Sequence, residues 1–328
     1  MIIFRADVSP QTGLQHLRRC AHLASLLKKN NDVLVCSRED KKAAKFLAEK
    51  SIRAEMGKDQ NAVDIAKAKA VIFDLPHFSA PDSALLEKAK KTGVKTIQIV
   101  SAVDECQPAD IILQPLPETE NQAAAGQIVL SGPPYALLHH KFRHFNRAKR
   151  KYCKNIKNIF INLGDLLPYR DLRLVVDTLH RLHLQMKIAP GLNLKKADKR
   201  NLMKIYPGIH FCGKSESPAR AYFEADLALV PAGEEILEAA AAGTPALYFC
   251  QEPGQEVLAT AWVEHQAGLK FGKLEMLTID SFRDMLAPLS SERREAMGAS
   301  GRKLVDGLGV QRFLKILKEN GIIKESSQ

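Results

Sequence analysis

Residues 1–22, Met-Ile-Ile-Phe-Arg-Ala-Asp-Val-Ser-Pro-Gln-Thr-Gly-Leu-Gln-His-Leu-Arg-Arg-Cys-Ala-His, compress a strand, a loop and the start of a helix into the beginning of the chain. Ile2 to Phe4 is a short apolar run that reads as a buried strand. Ser9, Pro10 and Gly13 mark a polar turn. Leu14, Leu17, Ala21, Ala24 and Leu27 then recur at the spacing of one helical face. Ligands of open α/β sheets bind at loops of this kind, beyond the carboxyl ends of the strands, and helix N-termini attract anions. His16 stands at the mouth of the loop, within the first turn or so of the helix, where the positive helix end opposes an added proton. An imidazole so placed suits a general base, and a packing or capping role fits the same position equally well.

The same rhythm continues outward from this unit. Apolar runs at Asp32–Cys36, Ala70–Phe73, Val94–Val100 and Asp110–Leu113 read as strands, with helical segments at Lys41–Glu49 and Asp82–Lys91. A second series starts near Asn158. It has strands at Ile159–Leu163, Met186–Ala189, Ile209–Cys212, Leu227–Val230 and Ala246–Cys250. Helices at Tyr169–Leu182, Pro218–Glu224, Glu234–Ala242 and Val257–His265 separate them. Alternating units of this kind imply parallel sheets with right-handed crossovers. The expected architecture is α/β, two doubly wound Rossmann-like domains facing a cleft. Pro133-Pro134 and the basic stretch after it place the expected boundary near residue 150, giving domains 1–150 and 151–278 and a helical tail 279–328.

Composition bounds the function. The chain has 328 residues, 45% of them hydrophobic, enough for two cores of ~150 residues each. Cys20, Cys36, Cys106, Cys153, Cys212 and Cys250 are scattered without a Cys-x-x-Cys pair, which argues for a reducing, cytoplasmic setting and against a zinc site. No signal peptide is read, because Arg5 and Asp7 interrupt the first apolar run, and no apolar stretch reaches ~20 residues. The net charge is +11, and much of the excess lies between His139 and Lys157. That segment reads first as a solvated amphipathic face, with peripheral contact to an anionic membrane left open. It carries no nucleic-acid motif, so a nucleic-acid partner is not expected. Walker A, His-Glu-x-x-His and Gly-x-Ser-x-Gly motifs are absent. His139, His140 and His144 lack the acidic second shell of a metal centre, so neither a metal nor a cofactor is expected.

Carboxylates supply the remaining candidates. Asp74 directly follows the apolar run Val71-Ile72-Phe73, and Asp104-Glu105 lies in a later loop. In the second series, the strand Leu227–Val230 ends at Pro231-Ala232-Gly233, and Glu238 falls in the second turn of the helix that follows. A carboxylate there can accept both hydroxyls of a ribose, or it can be an ordinary exposed helix residue.

Phe4-Arg5-Ala6-Asp7, Gly13-Leu14-Gln15-His16 and Arg19-Cys20 resemble the opening of the PseG/SpsG-type UDP-sugar hydrolases of pseudaminic acid and spore coat polysaccharide biosynthesis. The resemblance continues through Tyr135-Ala136-Leu137-Leu138 with Phe142, Ile161-Asn162-Leu163-Gly164, Ala232 to Glu238, and Gln255-Glu256 with Ala259 and Trp262. It covers most of residues 1–272 and implies a glycosyltransferase-B-like fold. It also implies that His16 activates the attacking water, with Asp74 as a second catalytic candidate. Arg5, Asp7, Gly13, Gly164, Ala232, Gly233, Glu238, Gln255 and Glu256 would then bind substrate or nucleotide. The chain departs from the family pattern at Gln15, Asp165, Glu234, Glu235 and Gly254, and His139 stands where the family has arginine. Acidic residues in the first turn of a helix would repel a diphosphate bound at its N-terminus, by ~1 kcal/mol per charge. The implied activity is metal-independent hydrolysis of a UDP-linked amino sugar, with a nucleotide sugar as partner and no obligate protein partner. Glycosyl transfer on the same scaffold, and a non-catalytic relative with a degenerate nucleotide site, remain open beside it.

Overall fold

In a computed structural model, residues 1–8, 13–57, 63–101, 105–116, 125–165, 168–191, 194–213, 216–251 and 253–324 are described. The chain divides into two compact units, residues 1–137 with 308–328, and residues 138–307.

The first unit is built on strands β1 (Ile2–Ala6), β2 (Val33–Ser37), β3 (Ala54–Met56), β4 (Ala70–Asp74), β5 (Lys95–Ile99), β6 (Ile111–Gln114) and β7 (Ile128–Ser131). They form a parallel sheet in the order β3-β2-β1-β4-β5-β6-β7. Helices α1 (Gln15–Leu27), α2 (Lys41–Glu49) and α3 (Ala80–Lys91) connect the early strands. β1, β2 and β4 are buried along their whole length, as expected of strands covered on both faces. The strand order reverses between β1 and β4, which makes the loops leaving those two strands the topological switch point.

The second unit repeats the plan. Helix α4 (His140–Arg147) precedes β8 (Asn158–Ile161), and α5 (Tyr169–Arg181), β9 (Gln185–Ile188), α6 (Lys196–Ile205) and β10 (Ile209–Phe211) follow. Then come α7 (Pro218–Glu224), β11 (Leu227–Pro231), α8 (Glu234–Ala242), β12 (Ala246–Phe249), α9 (Pro253–Glu264) and β13 (Leu269–Gly272), ahead of α10 (Ile279–Leu286) and α11 (Ser291–Leu304), while the last helix, α12 (Gly309–Glu319), returns to the first unit. Its parallel sheet runs β10-β9-β8-β11-β12-β13, with the reversal between β8 and β11. α8 starts at Gly233 and stops at Gly243, whose left-handed φ of 68° closes the last turn. Its alanine face lets α11 lie close: a Cβ on Gly301 would meet the Ala240 backbone at 3.0 Å.

The division between units differs from the boundary expected near residue 150. Helix α4 packs on α7 and α8, and Asn146 donates to the carbonyls of Ala241 (3.2 Å) and Val305 (2.9 Å), so the basic segment goes with the second unit. The expected tail is split as well. α10 packs on α5 and α11 on α8, whereas α12 packs on the Pro133–Tyr135 turn and Arg312 donates to the Pro134 carbonyl at 2.7 Å. On α4, Phe142 is buried while His140, Lys141, His144 and Arg147 are exposed. Arg150 turns inward to the carbonyls of Phe223 and Ala225. No described helix is long and apolar enough to cross a membrane.

Candidate functional site

Two polar clusters lie side by side at the switch point of the first unit, both fully inside the protein. The first is centred on Arg5. Its Nη1 and Nη2 donate to the two carboxylate oxygens of Asp7 at 2.5 and 2.6 Å, and its Nε donates to Asp82 at 2.7 Å. Asp82 reaches this position because it is the third residue of α3, where it also accepts from the backbone N–H of the capping Ser79 at 3.0 Å. Asp7 further accepts from the Arg38 backbone at 2.7 Å. Burial alone would raise the Asp7 carboxyl, but the bonds and charge of Arg5 outweigh it and hold the group below the usual range. Arg5 and Asp7 were expected to contact a ligand. The structure instead satisfies Arg5 internally: the side chain is fully buried and every guanidinium nitrogen has a carboxylate partner.

The second cluster joins α1 to the end of β4. His16 Nδ1 lies 2.6 Å from Asp74 Oδ1, bringing together two residues 58 positions apart. Arg19, one turn along α1 on the same face, donates to both Asp74 oxygens at 2.7 and 2.5 Å and to Ser101 Oγ after β5 at 3.2 and 3.1 Å. Burial raises the Asp74 carboxyl, yet the adjacent Arg19 and His16 prevail and lower it, so Asp74 is ionised and can only accept. Nδ1 is therefore the nitrogen that donates to it, and Nε2 is the second ring nitrogen. That Nε2 is buried and has no hydrogen-bond partner. Cys20, 3.6 Å from Asp74 through its Sγ, is no nucleophile, because burial and the Asp74 charge push its thiol well up.

Both Asp7 and Asp74 bind a proton less tightly in the folded chain than in the unfolded one. Their contribution to stability is complete above the unfolded carboxyl value of about 3.9 and is lost as the pH falls through their lower folded values. Urea midpoints for the first unit should hold from about pH 7 to 5 and decline steeply below about pH 4. A midpoint unchanged down to about pH 2.5 would show that neither carboxylate is held as described.

At the second switch point the loop after β8 carries Asn162 and Gly164, and the loop after β11 carries Ala232 and Gly233. Gly164 has a φ of 77°, a conformation that favours glycine, and Gly13 before α1 has one of 61°. Glu235 lies against both loops of the second unit. Its Oε2 is 3.2 Å from where a Cβ on Gly233 would stand, and its Oε1 is 3.9 Å from the corresponding point at Gly164. The acidic first turn of α8 thus sits at the place where a helix N-terminus would meet an anion. Glu238 is half-buried one turn further on. Gln255 caps its own loop, its Oε1 accepting from the Gln251 N–H at 2.7 Å, and Glu256 pairs with Lys270 at 3.6 Å.

Of the remaining carboxylates, Glu105 is exposed and accepts from Gln107 at 2.6 Å, while Asp104 lies outside the described residues. His139 caps α4, and no three His, Cys, Asp or Glu among the described residues are arranged to hold a metal. The sequence reading missed Arg19 and Ser101 as site residues. The i, i+3 spacing of His16 and Arg19 was the available signal.

No family model matches the chain. It is 24% identical to the spore coat polysaccharide biosynthesis protein SpsG of Bacillus subtilis (strain 168), over 96% of each chain. Among solved structures it superposes on MurG of Acinetobacter baumannii with a TM-score of 0.66 at 15% identity, covering 97% of this chain and 99% of the other. It superposes on the UDP-GlcNAc 2-epimerase of Neisseria meningitidis, bound to UDP-GlcNAc, with a TM-score of 0.58 at 13% identity, covering 97% and 100%. The fold is the glycosyltransferase-B type, two parallel-sheet Rossmann-like units. The resemblance to SpsG extends along nearly the whole chain.

Proposed function

We propose that the chain is a nucleotide-sugar enzyme of polysaccharide biosynthesis that cleaves a UDP-linked amino sugar at the anomeric carbon. The observation that carries this reading is the His16 imidazole, fixed at Nδ1 by ionised Asp74 and presenting a partnerless Nε2. In the proposed step Nε2 takes a proton from water, the water oxygen bonds to the anomeric carbon, and the carbon–oxygen bond to the diphosphate breaks. The electron pair leaves with the nucleoside diphosphate. Asp74 acts through His16, setting its tautomer and balancing charge as the imidazolium forms, and is a positioning residue. In the second unit, Gly164, Ala232 and Gly233 would face the phosphates and Glu238 the ribose, while Gln255 and Glu256 would border the same seat. SpsG's place in polysaccharide biosynthesis and the nucleotide sugar bound by the epimerase support the substrate class.

The same geometry serves glycosyl transfer if an acceptor hydroxyl replaces water, and the likeness to solved glycosyltransferases supports that second reading equally. A screen of UDP, CMP, GDP and their sugars by thermal shift, followed by product analysis, tests both. The expected result is stabilisation by UDP or a UDP-sugar, about 2.7 kcal/mol at a hundredfold excess over Kd. Free sugar formed without an acceptor marks a hydrolase, and product only with an acceptor marks a transferase. No shift with any nucleotide would instead mean that the acidic residues at Asp165, Glu234 and Glu235 have abolished the nucleotide site.

A further inference from the structure

Between β8, α7 and α8 runs a polar line through an otherwise apolar interior. Tyr222, on α7, is fully buried, its ring packed edge-on against Phe160 (4.6 Å between centroids) and beside Phe142 (6.2 Å). Phenylalanine would satisfy that packing. The hydroxyl is what needs explaining, since a buried hydroxyl is unfavourable unless it is bonded. It accepts from Asn162 Nδ2 at 3.1 Å and donates to the Glu238 carboxylate. Asn162 in turn accepts, through Oδ1, from the Gly164 backbone N–H at 3.3 Å. One hydrogen-bonded line therefore joins the glycine loop after β8 to the acid on α8. Burial and the charges of Glu238 and Glu235 push the phenol well up, so it keeps its hydrogen and acts on Glu238 as a donor.

We propose that Tyr222 is a positioning residue that orients Glu238 toward the ribose hydroxyls and, through Asn162, ties that orientation to the Gly164 loop. The proposal rests on the reading of Glu238 as the ribose acceptor. With one oxygen held by Tyr222, the carboxylate of a half-buried glutamate loses rotamer freedom before ligand arrives, so less ordering remains to be done on binding. The effect is specific to the sugar edge of the nucleotide, and that specificity separates positioning from a merely structural role.

The test is calorimetric affinity for UDP and for 2′-deoxy-UDP, measured on the full chain and on its Tyr222→Phe, Asn162→Ser and Glu238→Gln variants. The wild-type chain should prefer UDP by about tenfold or more, the worth of one hydrogen bond to a charged group. Tyr222→Phe keeps the ring and should lower UDP affinity about tenfold while changing 2′-deoxy-UDP less, so the preference collapses toward unity. Asn162→Ser should weaken UDP in the same direction, and it serves as the second probe should Tyr222→Phe fold poorly. If Glu238→Gln abolishes the preference and Tyr222→Phe retains it, the positioning role is overturned while the ribose reading stands. If Glu238→Gln retains the preference, or the wild-type chain binds neither nucleotide, the ribose reading itself falls and the proposal with it. A lowered melting temperature with an unchanged preference would reduce Tyr222 to packing.

Discussion

His16→Asn should reduce turnover of the nucleotide sugar by roughly 10²–10⁴ while leaving nucleotide affinity nearly unchanged. Asparagine can still donate a hydrogen bond toward Asp74 Oδ1, so the buried carboxylate keeps a partner in place of the imidazole that now stands 2.6 Å away. What the variant lacks is the basic Nε2 lone pair. The loss should appear in kcat, because proton transfer from water matters in the transition state more than in the ground state. Nucleotide affinity should hold because the proposed nucleotide seat, with Gly233 and Glu238, belongs to the other unit. Full turnover in His16→Asn would remove the base from this position. Asp74 could not then take over as it stands, since both its oxygens are bonded by Arg19 and His16.

Much of the scaffold is legible in the sequence where local chemistry and burial agree. The helices at Lys41–Glu49, Pro218–Glu224 and Glu234–Ala242 end where their residues say they should. Asp40 caps the first, proline opens the second, and Gly233 and Gly243 bracket the third. The misses share a cause. β3 (Ala54–Met56) and β7 (Ile128–Ser131) are short sheet edges, largely half-buried or exposed; β3 has no apolar run, and β7 has one of only three residues, Ile128-Val129-Leu130. α6 is basic around a single buried residue, Leu202. His16 and Asp74 stand out in the sequence because one opens a helix and the other ends a buried strand, and only the folded chain brings the two together. Arg5 is expected from the resemblance to contact a ligand, and the folded chain gives it internal partners instead. Asp7, two residues on, takes two of its guanidinium nitrogens, and Asp82, 77 positions away on a helix, takes the third. Tyr222 escaped notice for the same reason: its hydroxyl gains a function only when α7 lies beside β8 and α8.

That internal satisfaction sets the size of the second large effect. Arg5→Met should destabilise the first unit by about 3–5 kcal/mol, the cost of leaving buried charge without its partner. Asp82 is fully buried and Asp7 nearly so, and without the guanidinium two carboxylates would face each other in the space Arg5 now fills, with only the half-exposed Arg38 left near both, 3.4 Å from Asp7 and 3.7 Å from Asp82. Methionine preserves most of the aliphatic stem, so the loss reports charge pairing more than volume. The electrostatic origin predicts a pH signature. In the variant the Asp7 carboxyl must rise from its lowered value, because burial then acts without the opposing bonds and charge of Arg5. The deficit relative to wild type should be largest near neutral pH and shrink as the pH falls below about 4, where the variant takes up protons that relieve it while the wild type loses its own ion pairs. Adding Asp7→Asn to Arg5→Met should recover part of the lost stability, since it removes one of the stranded charges. Urea unfolding of the three chains at about pH 7 and about pH 3 measures all of this. A deficit under about 1 kcal/mol at neutral pH, or one that does not change with pH, would mean that Arg5 is solvated rather than locked, and would return it to the residues available for a ligand.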